Sequence, residues 1–249
     1  LDMLVHDLCS LAALGVHNPS HVDNLHRLLG SNAAQAKLTV CFASIPALQR
    51  HAVWETLASA CKKHMKLAGE DAMATRAAFA GVLSLLVRPL SNAHTTTENV
   101  RGPASFSAPE PEPLHVLLEY AVSQLDADNA SSANSKVKAG KKPAAVSHLS
   151  AHSHAHTLVV ATLRVGASAL AQLSPSEVAG GAWEPLARLA CSKLSTCATL
   201  LTPLAGISFT AEESVQPQRL ESILCACAAL LALANFSAIA SARLGGTAD

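Results

Sequence analysis

Short segments with helical periodicity, each bounded by Gly, Pro, Ser or Asn, recur along the chain and constrain its fold more than any other feature. Apolar residues at positions i, i+3, i+4 and i+7 mark one face of an α-helix. No stretch alternates polar and apolar residues for long, and even 158–163, the nearest to a strand, continues better as a helix. The chain is therefore predicted to be all-α.

Helix start and stop signals divide the chain into hairpins. The first predicted hairpin consists of helices 2–15 and 18–30, with Asn18 as N-cap and Pro19 at the first helical position. Pro89 is expected to stop a later helix. The other helices are predicted at 33–43, 46–67, 71–87, 114–125, 156–173, 183–201 and 218–243. Helices joined by short turns lie antiparallel.

The composition between these helices predicts the domain organisation. The predicted regions are N-terminal helical hairpins (1–90), a loop (91–113), a helix (114–125), a flexible basic and His-rich segment (126–150) and a C-terminal helical region (151–249). One hairpin cannot bury its apolar face alone, so hairpin repeats are expected to stack as an α-solenoid-like array.

Composition and charge exclude several classes of function. Half of the residues are hydrophobic (50%) and only 14% are charged, so most of the chain is not disordered. The 18 Lys and Arg balance 18 Asp and Glu, which disfavours a free-standing nucleic-acid binder. HExxH, GxSxG, Walker A and GxGxxG motifs are absent from the sequence. The protein is therefore predicted to be no enzyme, with no cofactor and no small-molecule substrate.

Histidines and cysteines are the remaining candidates for metal chemistry. His148, His152, His154 and His156 form a tract in which His152 and His156 would share a helical face, a spacing that suits zinc or copper. No thiol or carboxylate lies within the tract, so a solvated loop leading into a helix is favoured, and no metal site is predicted. The seven cysteines include no CxxC pair and are predicted to be reduced, buried thiols.

Two lysine clusters are the candidates for RNA contact. Lys62, Lys63 and Lys66 lie at a predicted helix end, where the helix dipole also explains cations. The second cluster, in the flexible segment, consists of Lys136, Lys138, Lys141 and Lys142. Lysines bind phosphates without reading base sequence. No aromatic residues alternate with them to stack on bases, so a solvated surface is the alternative interpretation.

The stretch 223–242 carries no charge over about twenty residues, which is long enough to cross a bilayer. Much of it is alanine, and it includes Asn235, Ser237 and Ser241. A central buried helix of a soluble stack is therefore expected rather than a membrane partner.

The segment from Leu8 to Ser20, followed by the helix from Val22 to Leu29, resembles a known repeat unit. It is similar to the octotricopeptide and RAP-associated helical-repeat proteins of organelles, in which a Leu/Ala helix ends at Leu-Gly before a polar-Pro turn. The resemblance implies a component or assembly factor of a protist mitochondrial ribosome, with other proteins and ribosomal RNA as partners. The alternative is a HEAT- or armadillo-like scaffold that binds only protein, with a cytoplasmic location left open.

Overall fold

The computed structural model describes Met3, Asp7 and Ser10 and then residues 19–68, 72–101, 110–135, 145–178, 180–205 and 217–245. These residues form nine helices and no strand, which confirms the all-α prediction. In chain order the helices are α1 (Pro19–Leu29), α2 (Asn32–Ser44), α3 (Ala47–Met65), α4 (Ala72–Arg101), α5 (Pro111–Ser135), α6 (Ala145–Gln172), α7 (Pro175–Val178), α8 (Glu184–Ala205) and α9 (Pro217–Leu244). The helix predicted over 2–15 lies almost entirely outside the described ranges.

Local capping signals set several helix ends where the sequence predicts them. Ser31 is the N-cap of α2, and its Oγ accepts a hydrogen bond from Ala34 N at 3.3 Å. Before α7, Ser174 N donates to Glu177 Oε2 at 2.8 Å, and Glu177 N donates to Ser174 Oγ at 3.4 Å. This reciprocal pair is a capping box. The predicted starts of α2, α3, α8 and α9 agree with the structure to within one residue.

The loop predicted over 91–113 is wrong at both ends, because α4 continues through Pro89 to residue 101 and α5 begins at residue 111. A proline has no N–H, so the carbonyl of Leu85, four residues earlier, loses its helical partner. Gln35 of α2 supplies a replacement, since its Nε2 donates to Leu85 O at 3.2 Å. Beyond the proline, Leu90 is fully buried, so tertiary packing stabilises the continued helix.

The flexible segment predicted over 126–150 is helical wherever the structure describes it. Helix α5 extends at both ends beyond the predicted 114–125, and α6 begins before the predicted boundary at 151. Alanine favours helix without marking an apolar face, which explains why periodicity missed these turns. Residues 136–144 lie outside the described ranges.

The long helices pack in two rows. The first row contains α2, α4, α6 and α9, and the second row contains α3, α5 and α8; each helix contacts the next in its row. Ser84 and Ser91 of α4 contact His154 and Ala161 of α6, a constant offset of 70 residues. Helices α4 and α6 therefore run parallel.

Helix α6 lies at the centre of one hydrophobic core, which extends from Phe42 in α2 to Ala240 in α9. The core crosses the boundary predicted between 126 and 150, since α5 packs directly on α6. Gly166 permits a close approach of α9, because a Cβ there would lie 3.0 Å from the Phe236 ring. The surfaces accessible to a ligand or a partner are therefore the faces that these two rows leave uncovered.

Candidate functional site

Helices α4, α6 and α9 of the first row form a surface groove, here called the arginine groove, with a cavity volume of about 340 Å³. Arg88 of α4 and Arg164 of α6 give it its charge. The other lining residues are Ser91, Asn92, His156, Thr157, Val160, Ala161, Cys225 and Ala228. Among the described residues that line the groove there is no carboxylate.

Hydrogen bonds between α4 and α6 hold the floor of the arginine groove. Buried Ser91 donates from Oγ to Ala161 O at 3.0 Å, and Arg164 Nη1 donates to Asn92 Oδ1 at 3.4 Å. Both arginines are exposed, whereas His156 is only 8% exposed and forms part of the wall. The guanidinium groups are therefore accessible to a ligand on a surface fixed by the core.

Neither Arg88 nor Arg164 forms an ion pair with Asp or Glu in the part of the chain that the structure describes. Guanidinium groups offer planar, multiple donors that match the oxygens of phosphate and carboxylate groups. The arginine groove is therefore suited to an anion.

The first predicted lysine cluster has different surroundings. Lys62 Nζ lies 2.9 Å from Glu112 Oε1, and the hydrogen bond and charge of Lys62 lower the pKa of Glu112. A second cavity, of about 270 Å³, surrounds Lys62 with Glu55, Glu110 and Glu112. Three carboxylates repel phosphate, so this groove gives no support to RNA contact at Lys62.

The other predicted lysines are less informative. Lys63 and Lys66 are exposed at the C-terminal end of α3, where the helix dipole favours cations. The predicted contacts at Lys136, Lys138, Lys141 and Lys142 lie outside the described residues. RNA contact at these lysines stays a prediction.

The histidine tract is not a solvated loop, because all four of its histidines fall within α6. The His154 ring stacks on the His26 ring with centroids 4.1 Å apart, and His154 Nδ1 lies 3.4 Å from Ser84 Oγ. Burial, with a smaller contribution from His26, lowers the pKa of His154 to about 3. Apolar packing from α1, α4 and α6 therefore overrides the solvated interpretation, at least for His154 and the buried His156.

The contact between Ser84 and His154 resembles a nucleophile with its base, but its chemistry differs. Ser84 Oγ donates to Gly81 O at 2.7 Å, within its own helix. A general base works best when its pKa lies near the working pH, and the pKa of His154 is far below neutrality. Among the described residues, no three His, Cys, Asp or Glu side chains are grouped to hold a metal ion.

The outer face of α9 exposes three leucines that no described helix covers. Leu220, Leu224 and Leu231 are 47%, 60% and 71% exposed, although α9 buries its opposite face on α6. The remaining exposed residues of this outer face are Glu221, Cys227, Ala228, Ala234, Asn235, Ala238, Ser241 and Ala242. The prediction of a central buried helix is therefore wrong, because the described helices cover only one side of α9.

Two helices in the described ranges are long and apolar enough to span a bilayer, and they differ in burial. Ala72–Thr95 of α4 is 61% buried within the fold, as in the core helix of a soluble protein. Ile223–Leu244 of α9 is only 28% buried. By length and composition alone, this is weak support for a membrane span.

The arginine groove was missed because its residues are distant in sequence. Arg164 is the only Lys, Arg, Asp or Glu in the 28 residues of α6. Arg88 stands in a similarly apolar stretch of α4. A single charge in an apolar helix was the signal that could have found them, since a buried charge is costly and must reach solvent.

The cysteine prediction is correct for Cys61, which is buried, and wrong for Cys41, Cys191 and Cys227, which are exposed. The error has the same cause as that for α9, since apolar neighbours in sequence do not guarantee a covering helix in space. None of the described cysteines forms a disulfide.

Comparison with known proteins finds no matching family model, curated protein or solved structure. The resemblance to octotricopeptide repeats covers residues of which 19–29 form α1. That resemblance stays a prediction.

Proposed function

We propose that this protein is a non-catalytic structural or assembly component of a large ribonucleoprotein complex. The proposed complex is the mitochondrial ribosome or its assembly intermediate, and the proposed location is the mitochondrion. The uncovered apolar face of α9 is the observation that carries this proposal.

An α-solenoid-like array is part of the proposal, and the packing of the two rows supports it. Each long helix contacts a helix of its own row, and contacts between the rows join α3 to α4, α4 to α5, α5 to α6, and α8 to α9. Stacked hairpins produce this combination of contacts, because each hairpin packs mainly on its neighbours.

A partner on α9 follows from the requirements of such an array. A solenoid helix with no neighbour on its outer side needs a polar face there to stay soluble. The outer face of α9 instead presents Leu220, Leu224 and Leu231. Burying a leucine side chain contributes about 2 kcal/mol, so an apolar protein surface that covers all three gains several kcal/mol.

The protein-only scaffold is the second candidate, because the α9 face by itself requires only a protein partner. The arginine groove favours the ribonucleoprotein, since a carboxylate-free pair of arginines suits phosphate as well. Nuclease sensitivity separates the two candidates.

Gradient sedimentation of the tagged protein from its own cells tests the proposal. We expect the wild-type chain to sediment with a large complex and to move to lighter fractions after nuclease treatment. Sedimentation as a monomer would contradict an assembly role, and nuclease-resistant sedimentation would select the protein-only scaffold.

Substitutions on α9 test its face directly. Leu224→Glu with Leu231→Glu should move the protein to monomer fractions, because charges on an apolar interface are not solvated there. Leu48→Glu on α3 is the control, since Leu48 is 80% exposed and lies on another helix. If the α9 variant sediments like wild type, α9 is not the interface. Recovery of the wild-type chain with membranes would assign the face to lipid instead.

A further inference from the structure

We propose that the arginine groove binds the phosphate backbone of single-stranded RNA through Arg88 and Arg164. The inference rests on the proposed ribonucleoprotein function and assigns that function a binding site. It differs from the lysine prediction in both the residues and the helices involved.

The charge of the groove is the first step. The chain has as many acidic as basic side chains, 18 of each, so a surface with two arginines and no carboxylate departs from its average. The other charged cavity, around Lys62, places three glutamates beside one lysine. Of these two grooves, only the arginine groove attracts a polyanion.

The parallel register places both arginines within reach of one strand. Because α4 and α6 are offset by 70 residues, Arg88 of α4 lies level with Leu158 of α6. Arg164 is six residues further along, or about 9 Å at the rise of an α-helix. Two long, exposed side chains at this separation can bind one phosphate together or two along a strand.

The shape and walls of the groove favour a nucleotide chain over a small anion. The cavity of about 340 Å³ is within the size range of sites for organic ligands. Val160 and Ala228 provide apolar wall for a sugar or base, and Thr157 adds a hydroxyl. Since both arginines are exposed at the rim, a strand can enter and leave without threading through the protein.

Fluorescence anisotropy of the purified full-length chain with a 12-nucleotide oligouridine is the test. We expect Arg88→Gln and Arg164→Gln each to weaken binding about tenfold, as for the loss of a charged hydrogen bond. The double variant should lower the slope of log K against log salt by about 1.4, since each phosphate contact on a single strand contributes about 0.7. Arg→Lys at each position should restore part of the affinity.

Arg27→Gln with Lys37→Gln is the matched control. Both residues are exposed and lie on α1 and α2, and their substitution removes the same two positive charges as the test pair. Circular dichroism should be unchanged in every variant, because none of these side chains belongs to the core. Melting should fall only slightly in the Arg164 variants, which lose the exposed hydrogen bond to Asn92. An equal loss in the control pair would assign RNA binding to general charge and overturn the inference.

Competitors and the wild-type chain provide the other decisive outcomes. Absence of RNA binding by wild type overturns the inference. If a polyglutamate peptide competes as well as unlabelled oligouridine, the groove binds acidic protein segments. If uridine monophosphate competes as well at the same phosphate concentration, the groove binds free nucleotides. Either result overturns the RNA assignment, whereas weak competition by both supports it.

The inference and the proposed function fail separately. If wild type sediments with its complex but the double arginine variant binds RNA normally, only the groove assignment is lost. If the groove binds RNA as expected but wild type sediments alone, only the assembly role is lost.

Discussion

Helices α4 and α9 are both apolar enough to cross a membrane, yet the fold buries them to different extents. The apolar stretch of α4 is 61% buried. The stretch of α9 is more apolar, yet only 28% of it is buried. Helix α4 packs closely against α1, α2, α3, α5 and α6, whereas α9 packs closely against α6, α7 and α8. Position in the stack, and not hydropathy, therefore determines how much of each helix is covered.

The largest expected effect is on the free energy of unfolding. It compares two leucines that lie in similarly apolar helices but differ in burial. Leu83 of α4 is 1% exposed, and Leu231 of α9 is 71% exposed. We expect Leu83→Ala to lower the free energy of unfolding by about 3 kcal/mol through the cavity it leaves. Leu231→Ala should change it by less than about 0.5 kcal/mol. Urea denaturation of the isolated chain measures both, and equal losses would show that α9 is covered.

A pH dependence should distinguish the α4 side of the stack from the α9 side. The pKa of His154 falls from 6.5 to about 3 on folding, so the unfolded chain binds the extra proton between these values. Stability from this group is complete above pH 6.5 and is lost as the pH falls toward 3, by up to about 1.4 kcal/mol per pH unit.

The measurement compares the wild type with His154→Leu, which removes the titrating group. Between pH 6.5 and 4, the unfolding free energy of the variant should fall less steeply than that of wild type. His64, whose pKa is lowered by burial and by Arg76, contributes in the same direction to both proteins. Parallel curves would show that His154 is already protonated or solvated in the folded chain.

A smaller effect on stability is expected from the hydrogen bond that supports α4 at Pro89. Gln35→Leu leaves the buried Leu85 carbonyl without its substitute donor and should cost about 1.5 kcal/mol. In a Pro89→Ala background the helix supplies its own N–H to that carbonyl, so the same change should cost less. A double-mutant cycle by urea denaturation gives the coupling. A coupling energy of zero would show that the Gln35 hydrogen bond does not compensate for the N–H that Pro89 lacks.

The sequence predicted the helical class and most helix starts, because caps such as Ser31 and Pro19 act locally. It failed where distant contacts decide. Pro89 stops an isolated helix, but Gln35 and the core support this one. The sequence around His154 predicts a solvated side chain, but in the fold α1 and α4 cover it.

The candidate site was less predictable than the fold. Clustered lysines such as Lys62 are visible in sequence, but two of the three glutamates around Lys62, Glu110 and Glu112, come from the N-terminal end of α5. Arg88 and Arg164 are 76 residues apart in the sequence. They line one groove because α4 and α6 are parallel neighbours. A surface built from several helices is thus invisible to a search for local motifs.

Alkylation of Cys227 tests most directly whether the outer face of α9 is an interface. Cys227 lies on that face and is exposed, whereas buried Cys61 and exposed Cys191 of α8 serve as references. In the isolated native chain, we expect Cys227 and Cys191 to react and Cys61 to be protected. In the gradient fraction that contains the large complex, mass spectrometry should find both Cys227 and Cys61 protected from alkylation. Equal labelling of Cys227 in the isolated chain and in the complex would contradict an interface on α9.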